Sequence, residues 1–238
     1  MGIAFILQSA LGLGPSKDNV CTATTPLSQA IVACLSKGPF GLGDEVNKTN
    51  ATIVMAASRD DGYILQPTRT ITPVDRTFSS EGLNGGQLWI ADTHLAGFNR
   101  PWFNVLGWGV EQNLPVIPSD FYSEALYTDD ANSKWDGKLG YHYFYDWHNP
   151  CIREESSTAC PGAFLAADGG SMAIPAQQKQ ESFFQVAPLL GESYTILLGE
   201  VSKFVPFSPR RFQSLTSQPS GSWKLVRMPP DDSLLLFL

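Results

Sequence analysis

A chain of 238 residues, 43% hydrophobic and 16% charged, can bury one generous core or a small α/β piece packed on a β domain, which excludes disorder. Its 21 glycines, 17 prolines and 11% aromatic content are the balance of many short strands joined by turns, and exclude a helical bundle. The formal charge of −7, with no basic stretch longer than Arg210-Arg211, argues against nucleic acid as partner, because a phosphate backbone needs clustered Lys and Arg to release its counterions.

In chain order, the run Met1 to Leu13 is apolar, but it has no basic residue before it and no small-residue cleavage pattern. It is too short to span a bilayer, so no membrane span is expected and the run reads as an internal core segment. Thr25-Pro26 then opens a helix carrying Leu27, Ile31, Cys34 and Leu35, with Thr25 as cap, Pro26 in the first turn and Gly38 as the stop. Pro39 to Gly43 is a short apolar run ending at the carboxylate of Asp44. Thr49 or Asn50 caps a further helix with Ile53, Val54 and Ala57, ending by Gly62.

Apolar run, helix, apolar run, helix is the alternation of a parallel β/α sheet or barrel. Two such units cannot close a barrel of eight, so residues 1–62 read as a β/α sheet or barrel piece truncated at its N-terminus. From Tyr63 the texture is β. Gly86 to His94, Trp102 to Val110, Gly140 to Trp147, Ser182 to Ala187, Tyr194 to Val201 and Ser222 to Arg227 have strand length and aromatic or β-branched enrichment, with turn residues between them. Leu234 to Leu238 adds a further candidate. Residues 63–238 are therefore expected to form an antiparallel β-sandwich domain.

Reactive groups in a β/α barrel sit at the C-terminal ends of strands. Asp44 has such a position, and Lys17-Asp18 has the equivalent one a unit earlier. An ammonium and two carboxylates there would suit the hydroxyls of a sugar, which need both donors and acceptors. The four cysteines match no zinc spacing. Cys151 and Cys160 flank a polar loop and read either as a disulfide or as two thiols. Asn47-Lys-Thr49 and Asn50-Ala-Thr52 are N-glycosylation acceptor triplets at Asn47 and Asn50. His94, His142 and His148 read as half-buried sheet residues, not metal ligands. Trp89, Trp102, Trp108, Tyr141, Tyr143, Tyr145 and Trp147 could stack on a sugar, although core packing is the more frequent use of such residues. With no phosphate loop, dinucleotide fingerprint or EF-hand spacing, no cofactor is expected.

The stretches Ala33-Cys-Leu-Ser-Lys-Gly-Pro-Phe-Gly-Leu-Gly-Asp-Glu45 and Met55-Ala-Ala-Ser-Arg-Asp-Asp-Gly-Tyr-Ile-Leu-Gln-Pro67 resemble the closing part of the barrel in the α-galactosidase and raffinose-synthase group of glycoside hydrolases, and still more its poorly characterised animal and protist relatives. Phe183 to Leu189 and Leu198 to Pro206 resemble strands of that group's C-terminal β domain. The resemblance implies that residues 1–62 are the last two β/α units of a truncated TIM-type barrel, with sugar-pocket positions at Asp44, Lys17 and Asp18. It also implies that the catalytic aspartate pair of the group falls on barrel strands before Met1. Asn19 to Thr22 departs from the group, which carries an aromatic-rich stretch there.

The expected function is the C-terminal portion of a carbohydrate-active protein acting on O-glycosidic bonds, without its own catalytic carboxylates. Its expected partners are carbohydrate and a chain supplying the missing barrel half. The alternative is a non-catalytic carbohydrate-binding β-sandwich. Localisation stays open, secreted or lysosomal ahead of cytosolic.

Overall fold

A computed structural model describes residues 3–24, 27–78, 86–121, 142–148, 164–165, 172–174, 181–191, 195–228 and 236–237. The first apolar run, expected as a strand, is instead a helix, α1 (Ile3–Ala10). An unbroken apolar run has no period that separates strand from helix, and Ala4, Leu7, Gln8 and Ala10 are good helix formers. Gly12, at φ 71°, ends it, with Leu13 N donating to Gln8 O at 2.9 Å as in a Schellman ending.

The parallel β contact comes later in the chain. Val20 N donates to Gly41 O at 2.8 Å and Gly43 N to Val20 O at 3.0 Å, so Val20 and Leu42 form a parallel bridge. The connection between them carries helix α2 (Leu27–Leu35), which is buried on almost every side. Its expected cap at Thr25-Pro26 lies outside the described residues. At its other end Lys37 takes the left-handed conformation, φ 65°, and Gly38 follows. A Cβ on Gly38 would lie 2.5 Å from Pro15 O, so only glycine fits where these two backbone segments meet. Ile71 N donates to Leu35 O at 3.0 Å and Thr70 Oγ1 to Ser36 O at 2.9 Å, satisfying carbonyls the helix leaves over.

Helix α3 (Ala51–Ala57) is capped by Asn50, whose side chain accepts from Thr52 N at 3.0 Å. Its C-terminal end is met by a distant segment. Lys203 Nζ donates to Met55 O and Ser58 O, both at 2.8 Å, and Phe204 N to Ala56 O at 2.8 Å. A cation there complements the negative end of the helix.

The remaining elements are β1 (Thr72–Pro73), α4 (Asp75–Phe78), β2 (Gln87–Thr93), β3 (Trp102–Trp108), β4 (Leu114–Val116), β5 (His142–Asp146), β6 (Phe164–Leu165), β7 (Met172–Ile174), β8 (Ser182–Leu190), β9 (Thr195–Gly199), β10 (Phe212–Ser217), β11 (Trp223–Arg227) and β12 (Leu236–Phe237). The class is mixed α/β, mostly antiparallel sheet with few helices. No helix among the described residues is long and apolar enough to cross a membrane.

Contacts divide the chain into two compact units that are discontinuous in sequence. The first comprises residues 1–72, 91–98 and 199–235, and the second residues 73–90, 99–198 and 236–238. In the first, β10 and β11 form an antiparallel ribbon, Phe207 stacks on Phe212 at 4.6 Å, and Ile31, Leu35, Leu65 and Phe204 are fully buried. Arg211 Nε donates to Glu200 Oε1 at 2.7 Å, an ion pair with both side chains buried.

An eight-stranded sheet runs in the order β1-β2-β3-β8-β5-β6, with β9 on β8 and β12 on β9; β4 and β7 form a separate antiparallel pair. Phe103 and Phe144 both pair with Val186, which puts one side of β3, β8 and β5 in register. That side packs Phe103, Val105, Phe144, Phe184 and Val186 against Leu114, Val116, Phe121 and Ile174. The alternate positions Asn104, Gln185 and Tyr145 form a buried polar row on the other side, beside Leu106, Phe183 and Tyr143. Burial on both faces explains why β8 reads as a near-continuous apolar run without alternation. Arg76 clips α4 to the turn at Pro118–Phe121, giving Asp120 two bonds, at 2.9 and 2.7 Å.

Candidate functional site

Asp44 follows the Val20–Leu42 bridge on the C-terminal side of its strand residue. Thr22 Oγ1 donates to Asp44 Oδ2 at 2.7 Å and Ala23 N to Oδ1 at 3.0 Å, while Asn50 N donates to Thr22 Oγ1 at 2.7 Å. The carboxylate thus ties together the exits of two parallel segments and the cap of α3. The Thr22 hydroxyl, then the Ala23 and Thr22 amides and the Thr49 hydroxyl, hold the Asp44 carboxyl below its ordinary range, against some desolvation. The side chain remains partly exposed.

Lys17 and Asp18 take a different place. The parallel register puts Asp18 before Val20, on the N-terminal side of the bridge, and its Oδ1 accepts from Asn19 N at 2.8 Å. Lys17 Nζ donates to Asp18 O at 3.3 Å. The residue equivalent to Asp44 one segment earlier is Thr22, because the parallel contact begins at Val20 and not in the helical run 3–10. Nothing in the spacing of consecutive residues signals that shift. Gly41 and Gly43 bracket Leu42 because a Cβ on either would meet Asn19, at 2.5 and 3.0 Å.

Asn47 is exposed at φ 65°, and exposed Asn50 has its side-chain oxygen committed to capping α3. Cys151, Cys160 and Tyr141 lie outside the described residues. Cys34 is buried, with Sγ donating to Leu65 O at 2.7 Å, and burial pushes its thiol up to about 12. Tyr143 and Tyr145 are buried, and desolvation raises both their hydroxyls, while Trp108 is 39% exposed. His142 is buried, and His148 partly so.

A second polar cluster was not anticipated from the sequence. Asp92 and His94 lie two residues apart and so share one face of the β2 chain. His94 Nε2 stands 2.6 Å from Asp92 Oδ2, outside hydrogen-bond alignment, and Arg69 Nε stands 3.9 Å from the same oxygen. The backbone fastens them further, Arg69 N to Asp92 O at 3.1 Å and His94 N to Thr68 Oγ1 at 2.9 Å. Asp92 is buried, with Arg69 and His94 partly so. The legible signal was the Asp-x-His spacing on an alternating strand; the contribution of Arg69 had none. Among the described residues no group of three His, Cys, Asp or Glu is placed to hold a metal ion. No family model matches the chain, and no curated protein matches it in sequence.

Proposed function

We propose that the chain is the C-terminal portion of a carbohydrate-active protein resembling the α-galactosidase and raffinose-synthase group of glycoside hydrolases. In this reading the N-terminal segment derives from the last two β/α units of a TIM-type barrel and the sheet-rich remainder from a β-sandwich domain. The chain contributes sugar binding, and the carboxylate pair that would cleave an O-glycosidic bond is outside it. The observation that supports the reading is the parallel crossover Val20–α2–Leu42, with the ionised Asp44 carboxylate on its C-terminal side. Barrel enzymes gather their binding groups on that side. A carboxylate has about four acceptor directions, so one bonded to Thr22 and Ala23 can still accept from a sugar hydroxyl.

The test is a panel of aryl α- and β-glycosides with calorimetry against the corresponding free sugars. The expected result is no turnover, with weak sugar binding that Asp44→Asn removes while circular dichroism stays unchanged. Turnover abolished by Asp44→Asn would show that the acid pair is not missing, and binding indifferent to that substitution would remove Asp44 from the site. The alternative, a non-catalytic carbohydrate-binding β module, rests on exposed Trp108, since Tyr143 and Tyr145 are buried and offer no open stacking face. Sugar binding lost in Trp108→Ala but kept in Asp44→Asn selects it.

A further inference from the structure

We propose that Tyr63 is a phosphorylation site, where a protein tyrosine kinase transfers a phosphoryl group from a nucleoside triphosphate to the tyrosine hydroxyl and Arg210, with Arg59, then holds the phosphate. The inference goes beyond the sugar reading and stands without it.

Residues 58–64 form a tight reversal in the first unit. Ser58 and Ile64 make an antiparallel bridge, while Arg59 N donates to Tyr63 O and Gly62 N to Arg59 O, both at 2.9 Å. Asp61 stiffens the turn from within. Its Oδ1 accepts from Tyr63 N at 3.2 Å and from Arg59 Nε at 3.1 Å, and its Oδ2 accepts from Arg59 NH2. Asp60, Asp61, Gly62 and Tyr63 are all exposed, and a Cβ on Gly62 would meet nothing within 4 Å, so the tip stands in open space. Tyr63 is 53% exposed and its hydroxyl makes no hydrogen bond among the described residues, whereas Tyr143 and Tyr145 are buried.

Two guanidiniums keep the ring in place. Arg59 Cζ and Arg210 Cζ each lie 5.3 Å from its centroid. The arginines are also tied to one another and to the chain beside the tyrosine, since Arg59 NH1 donates to Arg210 O at 2.9 Å and Arg210 NH1 to Ile64 O at 3.0 Å. Arg59 shares its charge with Asp61. Arg210 forms no ion pair among the described residues, and its Nε and NH2 make no hydrogen bond there. Those N–H groups, on a cation already at the ring, are the donors that a phosphate on the ring oxygen needs. Phosphotyrosine carries a charge of about −1.5 to −2 and three acceptor oxygens, so it pairs with Arg210 without a change of fold. Asp60 and Asp61, just N-terminal to the tyrosine, offer carboxylates to a kinase whose peptide groove is basic. In the transfer, the Tyr63 oxygen attacks the terminal phosphorus and the new O–P bond replaces the bridging one. The nucleoside diphosphate leaves, and the phenolic proton passes to the carboxylate base of the kinase.

The experiment incubates the folded full chain with magnesium ATP and the catalytic domain of a tyrosine kinase that selects acidic residues before its tyrosine. Modified sites are mapped by mass spectrometry, and the product is followed by phosphorus NMR and by its melting temperature. Incorporation at Tyr63, removed by Tyr63→Phe, is expected. Because a nearby cation favours the dianion, the phosphate should titrate about one unit lower in the folded protein than in urea. The melting temperature should rise on phosphorylation. In Arg210→Gln the titration should return to the urea value and the gain in melting temperature should disappear, while Arg210→Lys, which keeps the cation, should retain part of both. Absence of incorporation at Tyr63 overturns the proposal. So does a phosphate that titrates identically in Arg210→Gln, since that is an exposed tyrosine modified with no receptor for its phosphate.

Discussion

Arg211→Met isolates one buried charge and tests how the end of the first unit is held. Arg211 and Glu200 are 4% and 3% exposed, and the Nε to Oε1 bond of 2.7 Å is the contact that neutralises Glu200. Methionine fills much of the arginine stem's volume but leaves a carboxylate buried without its partner, a loss of about 3–5 kcal/mol. Against a total stability of about 5–15 kcal/mol this is a large fraction. At a urea dependence of about 3 kcal/mol/M the unfolding midpoint should fall by about 1–2 M. Because Glu200 N donates to Pro206 O at 3.0 Å and Lys203 N to Glu200 O at 2.8 Å, the same turn presents Lys203 and Phe204 to α3. Hydrogen exchange at the Phe204 amide should therefore accelerate along with the drop in midpoint. Glu200→Leu combined with Arg211→Met removes both charges and should return to within about 1 kcal/mol of wild type. The reasoning is refuted if Arg211→Met costs less than about 1 kcal/mol, or if the double variant loses the sum of the two single losses.

Two further outcomes follow from perturbed groups. The carboxyls of Asp44, held down chiefly by Thr22, and Asp61, held down chiefly by Arg59, titrate below their unfolded value of about 3.9. Their contribution is therefore complete above that value and is lost as pH falls through the folded ones. Urea unfolding across the acid range should show this decline, and Asp44→Asn should flatten it; an unchanged slope counts against the Thr22–Asp44 tie. With its thiol pushed up to about 12 and its side chain buried, Cys34 should resist alkylation in the folded protein near neutral pH, while partly exposed Cys21 reacts. Peptide mapping that finds both modified at one rate contradicts the described packing, and urea should abolish the difference.

Much of the secondary structure was written in consecutive residues. β2, β3, β5, β9 and β11 fall inside runs recognisable by aromatic and β-branched content between turn residues, and β8 begins in such a run and extends three residues past it. The pair Thr49 and Asn50 announced the start of α3, with the structure choosing Asn50 as the cap, and Gly38 announced the end of α2, although the left-handed residue is Lys37. β10 was missed, since Phe212–Ser217 is mostly polar and becomes a strand through its pairing with β11. The first helix was missed because its apolar residues carry no period.

What the sequence determined alone was therefore local: the composition, the caps and most strand positions, all set by backbone sterics and near-neighbour hydrogen bonds. The tertiary structure decided the rest. It moved the parallel contact to Val20 and Leu42, returned Lys203 and Phe204 to the end of α3, and brought Arg69 to the Asp92–His94 pair. Such arrangements depend on which distant groups share burial, and on how strongly charges act once water is excluded, neither of which is encoded in the spacing of consecutive residues.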